Sequence, residues 1–173
     1  MVRLAELTQI PVISTLNGKG CFPEDHPLSL GCAGLSRPDG VVQFLTNADL
    51  IVGLGTSFTR SEYITPFPRG GRTYVQLTNW EGDIAKDYPI DFALIGDAKP
   101  TLAAAVKELC ERLGTNGRRG NSSTRDEALA AKQAFLKTWQ PLLESDQIPI
   151  NPYRVIWDLM HLSLIPIRRC RRR

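Results

Sequence analysis

The chain has 173 residues and carries 21 Lys+Arg against 18 Asp+Glu, a formal net charge of +3. Five of those basic residues, Arg168, Arg169, Arg171, Arg172 and Arg173, stand in the last six positions, so the rest of the chain holds 16 basic and 18 acidic residues, a net of −2. At 42% hydrophobic and 23% charged it can bury a core and is not a disordered chain. The acidic body argues against a nucleic-acid partner, and no apolar run approaches the ~18 residues of a membrane span.

Arg3 and Glu6 bring charge too early for the apolar core of a signal peptide. Leu4 and Leu7 read as the end of a helix whose start is expected to precede Met1. Ile10–Leu16 follows as a short β-branched strand that closes in Asn17-Gly18-Lys19-Gly20. A polar stretch with Pro23 and Pro27 then runs through Gly31 and Gly34. Pro38-Asp39-Gly40 leads into a predicted helix over Val41–Leu45, with proline near its first turn. Ala48–Gly55 is the strongest buried-strand pattern, a continuous apolar run stopping at glycines. Arg72–Leu77 and Asp91–Gly96 read as two more strands. Pro100 opens a helix with Leu102, Val106, Leu109 and Leu113 at helical spacing, stopped by Gly114.

Residues 114–123 have the composition of a linker. Two helices are predicted beyond it. One runs over about Asp126–Gln140, and the other opens at Asn151-Pro152 with Tyr153, Ile156, Trp157 and Met160 on one face. Strands this apolar need a layer on each face. The predicted class is therefore α/β, a Rossmann-like doubly wound, mostly parallel sheet followed by a linker and carboxy-terminal helices. The predicted division is 1–114 for the sheet domain, 115–125 for the linker, 126–161 for the start of a second domain and 162–173 for a basic tail.

In open α/β sheets ligands bind outside the carboxyl ends of the strands. Asn17-Gly18-Lys19-Gly20 and Gly53-x-Gly55 are loops of that kind, and together they suggest a cofactor crevice. Phe58 stands where a third glycine would complete Gly-x-Gly-x-x-Gly. Thr78-Asn79-Trp80 follows the next strand without an acid for ribose hydroxyls. Glu81 fits better as a first-turn residue of a short helix. The candidate cofactor-binding residues are Asn17, Gly18, Lys19, Gly34, Gly53, Gly55, Thr56, Thr78, Asn79 and Asp97.

Glu24-Asp25-His26 reads as a surface loop, because three adjacent residues cannot converge on one point. His26 and His161 are the only histidines, and no nucleophile pairing is visible. No catalytic residue and no metal ligand is assigned. Cys21, Cys32, Cys110 and Cys170 form no Cys-x-x-Cys, which favours reduced thiols in a cytoplasm-like compartment. A stand-alone NAD or FAD protein would need the complete glycine loop and ribose acid that this chain lacks. The arginine tail would suit polyanion binding or nuclear import, or has no selected function.

The stretch Pro11–Leu28, with its Gly18-Lys19-Gly20 and Pro23-Glu24-Asp25-His26-Pro27, resembles the central domain of thiamine-diphosphate-dependent enzymes of the acetolactate synthase type. Ala48–Gly55 and Ile95-Gly96-Asp97-Ala98-Lys99 extend the resemblance over about Leu4–Leu113. It implies a six-stranded middle domain that holds FAD in some members and another nucleotide or nothing in others. The whole enzymes use thiamine diphosphate and Mg²⁺ on 2-oxo acids as homo-oligomers. FAD-binding relatives carry Asp-Ile-Asp where this chain has Thr78-Asn79-Trp80, Arg near Ser57, and Met-His-Gly near Leu35-Ser36-Arg37.

Against that pattern the first strand and its glycine turn are expected to lie before Met1. The Gly-Asp-Gly…Asn segment for Mg²⁺ and diphosphate is not in the chain. The expectation is a truncated piece, inactive alone, with a frame change after about His161. It should have an open sheet edge and an uncovered Tyr153/Ile156/Trp157/Met160 face.

Overall fold

The structure is a computed structural model that describes residues 1–33, 38–60, 66–68, 70–118 and 122–162. The arginine tail lies outside the described residues. The chain forms two compact units, Met1–Lys132 and Gln133 onward. The elements of the first are α1 Val2–Thr8, β1 Val12–Ser14, β2 Ser29–Cys32, α2 Asp39–Asn47, β3 Leu50–Leu54, β4 Thr73–Thr78, a 3-10 turn Glu81–Asp83, β5 Phe92–Ile95 and α3 Ala98–Leu113. α4 Ser122–Leu143 begins in the first unit, and α5 Pro152–Leu162 belongs to the second.

All strand pairs are parallel. β1 pairs with β2, and β3, β4 and β5 form a second sheet in that order. The α/β class with parallel strands thus stands. β2 falls in the stretch that reads as polar loop. Four residues flanked by Pro and Gly carry too little pattern, and pairing with β1 makes them a strand, with a register irregularity at Val12/Ile13.

Three apolar clusters hold the first unit. Ala5 of α1 packs with Phe22 and Leu28, and Val12 of β1 lies against them. Leu30, Ala33, Val41 and Ala128 form a second cluster, joined by Ile13, Phe44 and Leu45. Ile51, Phe58, Tyr74 and Tyr88 form the third, joined by Leu45, Ala48, Phe67 and Ile90. Its rings meet edge to face, Phe58–Phe67 at 5.1 Å and Phe58–Tyr74 at 5.7 Å.

The opposite face of the β3–β5 sheet is covered only in part among the described residues, Leu77 being buried there. The registers Val52↔Val75↔Phe92 and Leu54↔Leu77↔Leu94 put these residues on one face with Leu50. There Phe92 is 63% and Leu94 47% exposed. α3 packs on α1 and buries none of its residues.

The segment that reads as a linker is anchored at its start. Arg118 N donates to Leu7 O at 2.7 Å, and Arg3 Nη2 donates to Thr115 O at 2.6 Å. α4 starts at Ser122, inside the predicted linker, and Ala128 on its first turns is fully buried. In the second unit Trp139 and Tyr153 lie 5.2 Å apart. Arg154 bridges Asp158 at 2.7 Å and Asp146 at 3.1 Å, and the Asp158 hydrogen bond is the largest cause raising its pKa. Tyr153, Ile156 and Met160 are exposed, as expected of that face.

Candidate functional site

Thr78 ends β4, and Gly55, Thr56, Asn79 and Asp97 follow the carboxyl ends of β3, β4 and β5, so one sheet brings them to one edge. Gly55 turns the chain at φ +66, with open space where a side chain would be. A backbone that open can be approached closely by a ligand. Gly53 does something else. A Cβ there would sit 2.3 Å from the Phe58 ring, so this glycine makes room for the aromatic cluster.

Gln76 holds the turns in place. Fully buried on β4, it donates from Nε2 to Thr56 O and to Asp83 O, both at 2.9 Å, and its Oε1 accepts from Ala85 N at 3.4 Å. Its side chain therefore ties the β3 turn to the 3-10 turn after β4. Sequence patterning gave no sign of this, because a Gln inside an apolar strand reads as an interruption.

Thr78 is buried, and its Oγ1 accepts from Trp80 N at 3.3 Å and lies 3.5 Å from Asp83 Oδ2. Asp83 is thus the carboxylate beside the β4 end, while Glu81 stands in the first turn of the short 3-10 helix, as its sequence position suggests. The 3-10 turn carries Asp83 back to Thr78, and five residues of separation conceal that. Asn79 is exposed. Trp80 is 62% exposed and lies over Gly82, where a Cβ would be 2.7 Å from its ring.

Asp97 is the N-cap of α3. Its Oδ1 accepts from Lys99 N at 2.7 Å, and its carbonyl accepts from Thr101 Oγ1 at 2.7 Å. A groove of about 500 Å³ adjoins this turn, lined by Met1, Ala98, Lys99, Leu102, Ala103 and Val106.

Asn17, Gly18 and Lys19 form a tight turn after β1, closed by Gly18 N to Thr15 Oγ1 at 3.1 Å and Cys21 N to Gly18 O at 3.0 Å. Lys19 Nζ lies 2.8 Å from Glu24, and that hydrogen bond raises its pKa. Both side chains are exposed, so the pair adds little stability. Among the described residues no hydrogen bond or ion pair joins this turn to the β3–β5 turns. Gly34 lies outside the described residues.

The Glu24-Asp25-His26 segment is a loop, as expected. His26 Nδ1 accepts from Leu28 N at 3.1 Å, and its ring meets Phe22 at 4.9 Å. These contacts make it a loop-shaping residue. Among the described residues no group of three or more His, Cys, Asp or Glu could hold a metal ion. Cys21, Cys32 and Cys110 are free thiols. No helix among the described residues is long and apolar enough to cross a membrane.

Residues 1–105 match the family model for the thiamine pyrophosphate enzyme central domain. The chain is 29% identical over 164 residues to a probable acetolactate synthase large subunit of Methanococcus aeolicus, covering 92% of this chain and 27% of that protein. It is 31% identical over 160 residues to a glyoxylate carboligase of Escherichia coli O157:H7, covering 91% and 26%. A crystal structure of benzoylformate decarboxylase from Polynucleobacter necessarius overlaps 61% of this chain and 20% of that one at TM-score 0.49 and 27% identity. The chain thus spans about a quarter of the length of these curated relatives. It belongs to the thiamine pyrophosphate enzyme family, through that family's central domain.

Proposed function

We propose that this chain is the central part of a thiamine-diphosphate- and Mg²⁺-dependent enzyme that decarboxylates a 2-oxo acid and ligates the product. The parent would be a homo-oligomer of the cytoplasm, with acetolactate synthase or glyoxylate carboligase chemistry. The observation that carries this reading is the family match over residues 1–105, reinforced by relatives of both kinds.

Thiamine diphosphate supplies the ylid such chemistry needs. The described residues do not fit its metal, since no metal-holding group is present among them. The ionisable groups at the strand ends are engaged in the fold, Lys19 with Glu24, Asp83 beside Thr78, and Asp97 on α3. The chain's own role in this reading is to offer the β3–β5 edge to a nucleotide. The open turn at Gly55 admits a phosphate or sugar to the backbone. In this reading Thr78 and Asp83 would lie on the side of the ribose hydroxyls, and the exposed Trp80 would offer a ring face. These groups fit FAD or another nucleotide without the Asp-Ile-Asp pattern.

The purified chain, given pyruvate or glyoxylate with thiamine diphosphate and Mg²⁺, is expected to release no CO₂. A chimera carrying residues 1–105 in place of the matched segment of the Methanococcus aeolicus relative is expected to keep turnover. Turnover by the chain alone, or a folded chimera with none, would overturn the reading.

A further inference from the structure

The Glu24-Asp25-His26 loop has no part in the proposed function, yet its histidine is more enclosed than a surface loop requires. The His26 side chain is 13% exposed. Its Nδ1 accepts from Leu28 N at 3.1 Å, and its ring meets Phe22 edge to face at 4.9 Å. An accepting ring nitrogen carries no proton, so the Leu28 bond assigns the neutral tautomer with its hydrogen on Nε2. Leu28 sits at a junction. Its side chain is fully buried with Ala5 of α1 and with Phe22. Its carbonyl accepts from Val12 N at 2.7 Å, at the start of the β1–β2 pairing.

The backbone of His26 is held as well. Its N donates to Pro23 O at 3.2 Å, and its O accepts from Ser29 N at 2.9 Å. Lys132 of α4 donates from Nζ to Glu24 O at 3.0 Å and lies 3.5 Å from His26 O. The loop therefore joins α1, the β1–β2 pair and α4 around one imidazole. The charged groups near the ring pull in different directions. Glu6 of α1 favours an imidazolium, but its Oε1 is 3.8 Å from Nε2, beyond hydrogen-bond reach, and its side chain is 40% exposed. Lys132 opposes it from α4. Within the loop, Glu24 is held by Lys19 at 2.8 Å, and Asp25 is the chain neighbour of His26. β1 and β2 carry no charged side chain. Nδ1 itself faces a donor, the Leu28 N–H, so a proton placed there sets two donors against each other.

We propose that His26 is a proton-operated latch on the loop over residues 21–28. With Nδ1 bare, the ring holds Leu28 and the loop is closed. When Nδ1 takes a proton from water, the Leu28 bond is lost and the ring turns its two N–H groups toward Glu6 and solvent. The sign follows by linkage. The closed loop excludes the second proton and the open loop accepts it, so acid favours the open loop and the closed one is restored as pH rises. Histidine side chains change charge between about pH 8 and pH 5, and the latch works within that range. Opening loosens Leu28 in its apolar cluster and slackens the links to Lys132 and Lys19. The turn after β1 is thereby the part of the first unit that answers to pH. The proposal rests on contacts of this loop and not on the thiamine reading, so either can fail alone.

The test is hydrogen exchange on the full chain at about pH 7.5 and about pH 5.5, with each amide corrected for its intrinsic rate. The Leu28 amide is expected to lose roughly tenfold of its protection at the lower pH. The Gly55 and Thr73 amides, which bond across β3 and β4, should keep theirs. His26→Asn puts an amide oxygen where Nδ1 stood and cannot titrate, so Leu28 should stay protected at both pH values. In the unaltered chain the imidazole nitrogen shifts should show a bare Nδ1 at the higher pH, a readout that needs no variant to fold. Equal protection of Leu28 at both pH values, a loss shared by Gly55 and Thr73, the same pH response in His26→Asn, or an Nδ1–H tautomer at the higher pH would overturn the proposal.

Discussion

At the scale of single residues, Gln76 holds the strand-end turns together and Tyr74 anchors the aromatic cluster beneath them. Gln76→Leu keeps the volume but strands the Thr56 and Asp83 carbonyls and the Ala85 N–H. Each unsatisfied buried group costs about 1–3 kcal/mol, so the variant should lose at least about 2 kcal/mol in urea unfolding. Gln76→Glu keeps acceptors but loses the donors and should not rescue it. Tyr74 donates its hydroxyl to Pro68 O, and burial is the largest cause raising its pKa above 10.0. A raised folded-state pKa means the contribution is whole below pH 10.0 and is lost as pH climbs through the folded value. The melting temperature should therefore fall more steeply above pH 10 in the wild type than in Tyr74→Phe, and equal slopes would count against this account.

At the scale of elements, the start of α2 meets α4 at Gly40. A Cβ on Gly40 would lie 2.6 Å from the Ala131 Cβ. Gly→Ala inside a helix ordinarily gains about 0.5–1 kcal/mol, but here overpacking at about 1–3 kcal/mol should reverse the sign. Gly40→Ala is thus expected to destabilise, and Ala131→Gly in the same chain to recover much of the loss, as a double-mutant cycle would show. The sequence showed both helices, the first by Pro38 near its opening turn and the second over about Asp126–Gln140. It did not show that they touch, since Gly40 reads as a turn residue and Ala131 as a neutral helix former. α3 also opens earlier than its proline suggests, because Asp97 caps it at Lys99.

At the scale of the whole molecule, the apolar side chains exposed among the described residues set the expectation of association. β5 is an edge strand with all four residues exposed, and Phe92 and Leu94 extend the exposed part of the sheet face. Such an edge templates association. Phe92→Lys with Leu94→Lys should shift the chain toward monomer in sedimentation while leaving the β3–β4 ladder protected in exchange. Unchanged association would place the sticky surface elsewhere, for instance on the Tyr153/Ile156/Met160 face of α5.

The sequence by itself determined the family, the parallel α/β class and the strand-end positions of Gly55, Thr56, Thr78, Asn79 and Asp97. Those features follow from local chemistry, namely apolar runs long enough to be strands and glycine or polar residues where they stop. Tertiary structure alone decided the rest. β2 exists because β1 offers it a ladder, Gly53 is required by Phe58, and Asp83 reaches Thr78 through a 3-10 turn. Each of these depends on residues distant in sequence meeting in space, and pattern within a window does not encode such meetings.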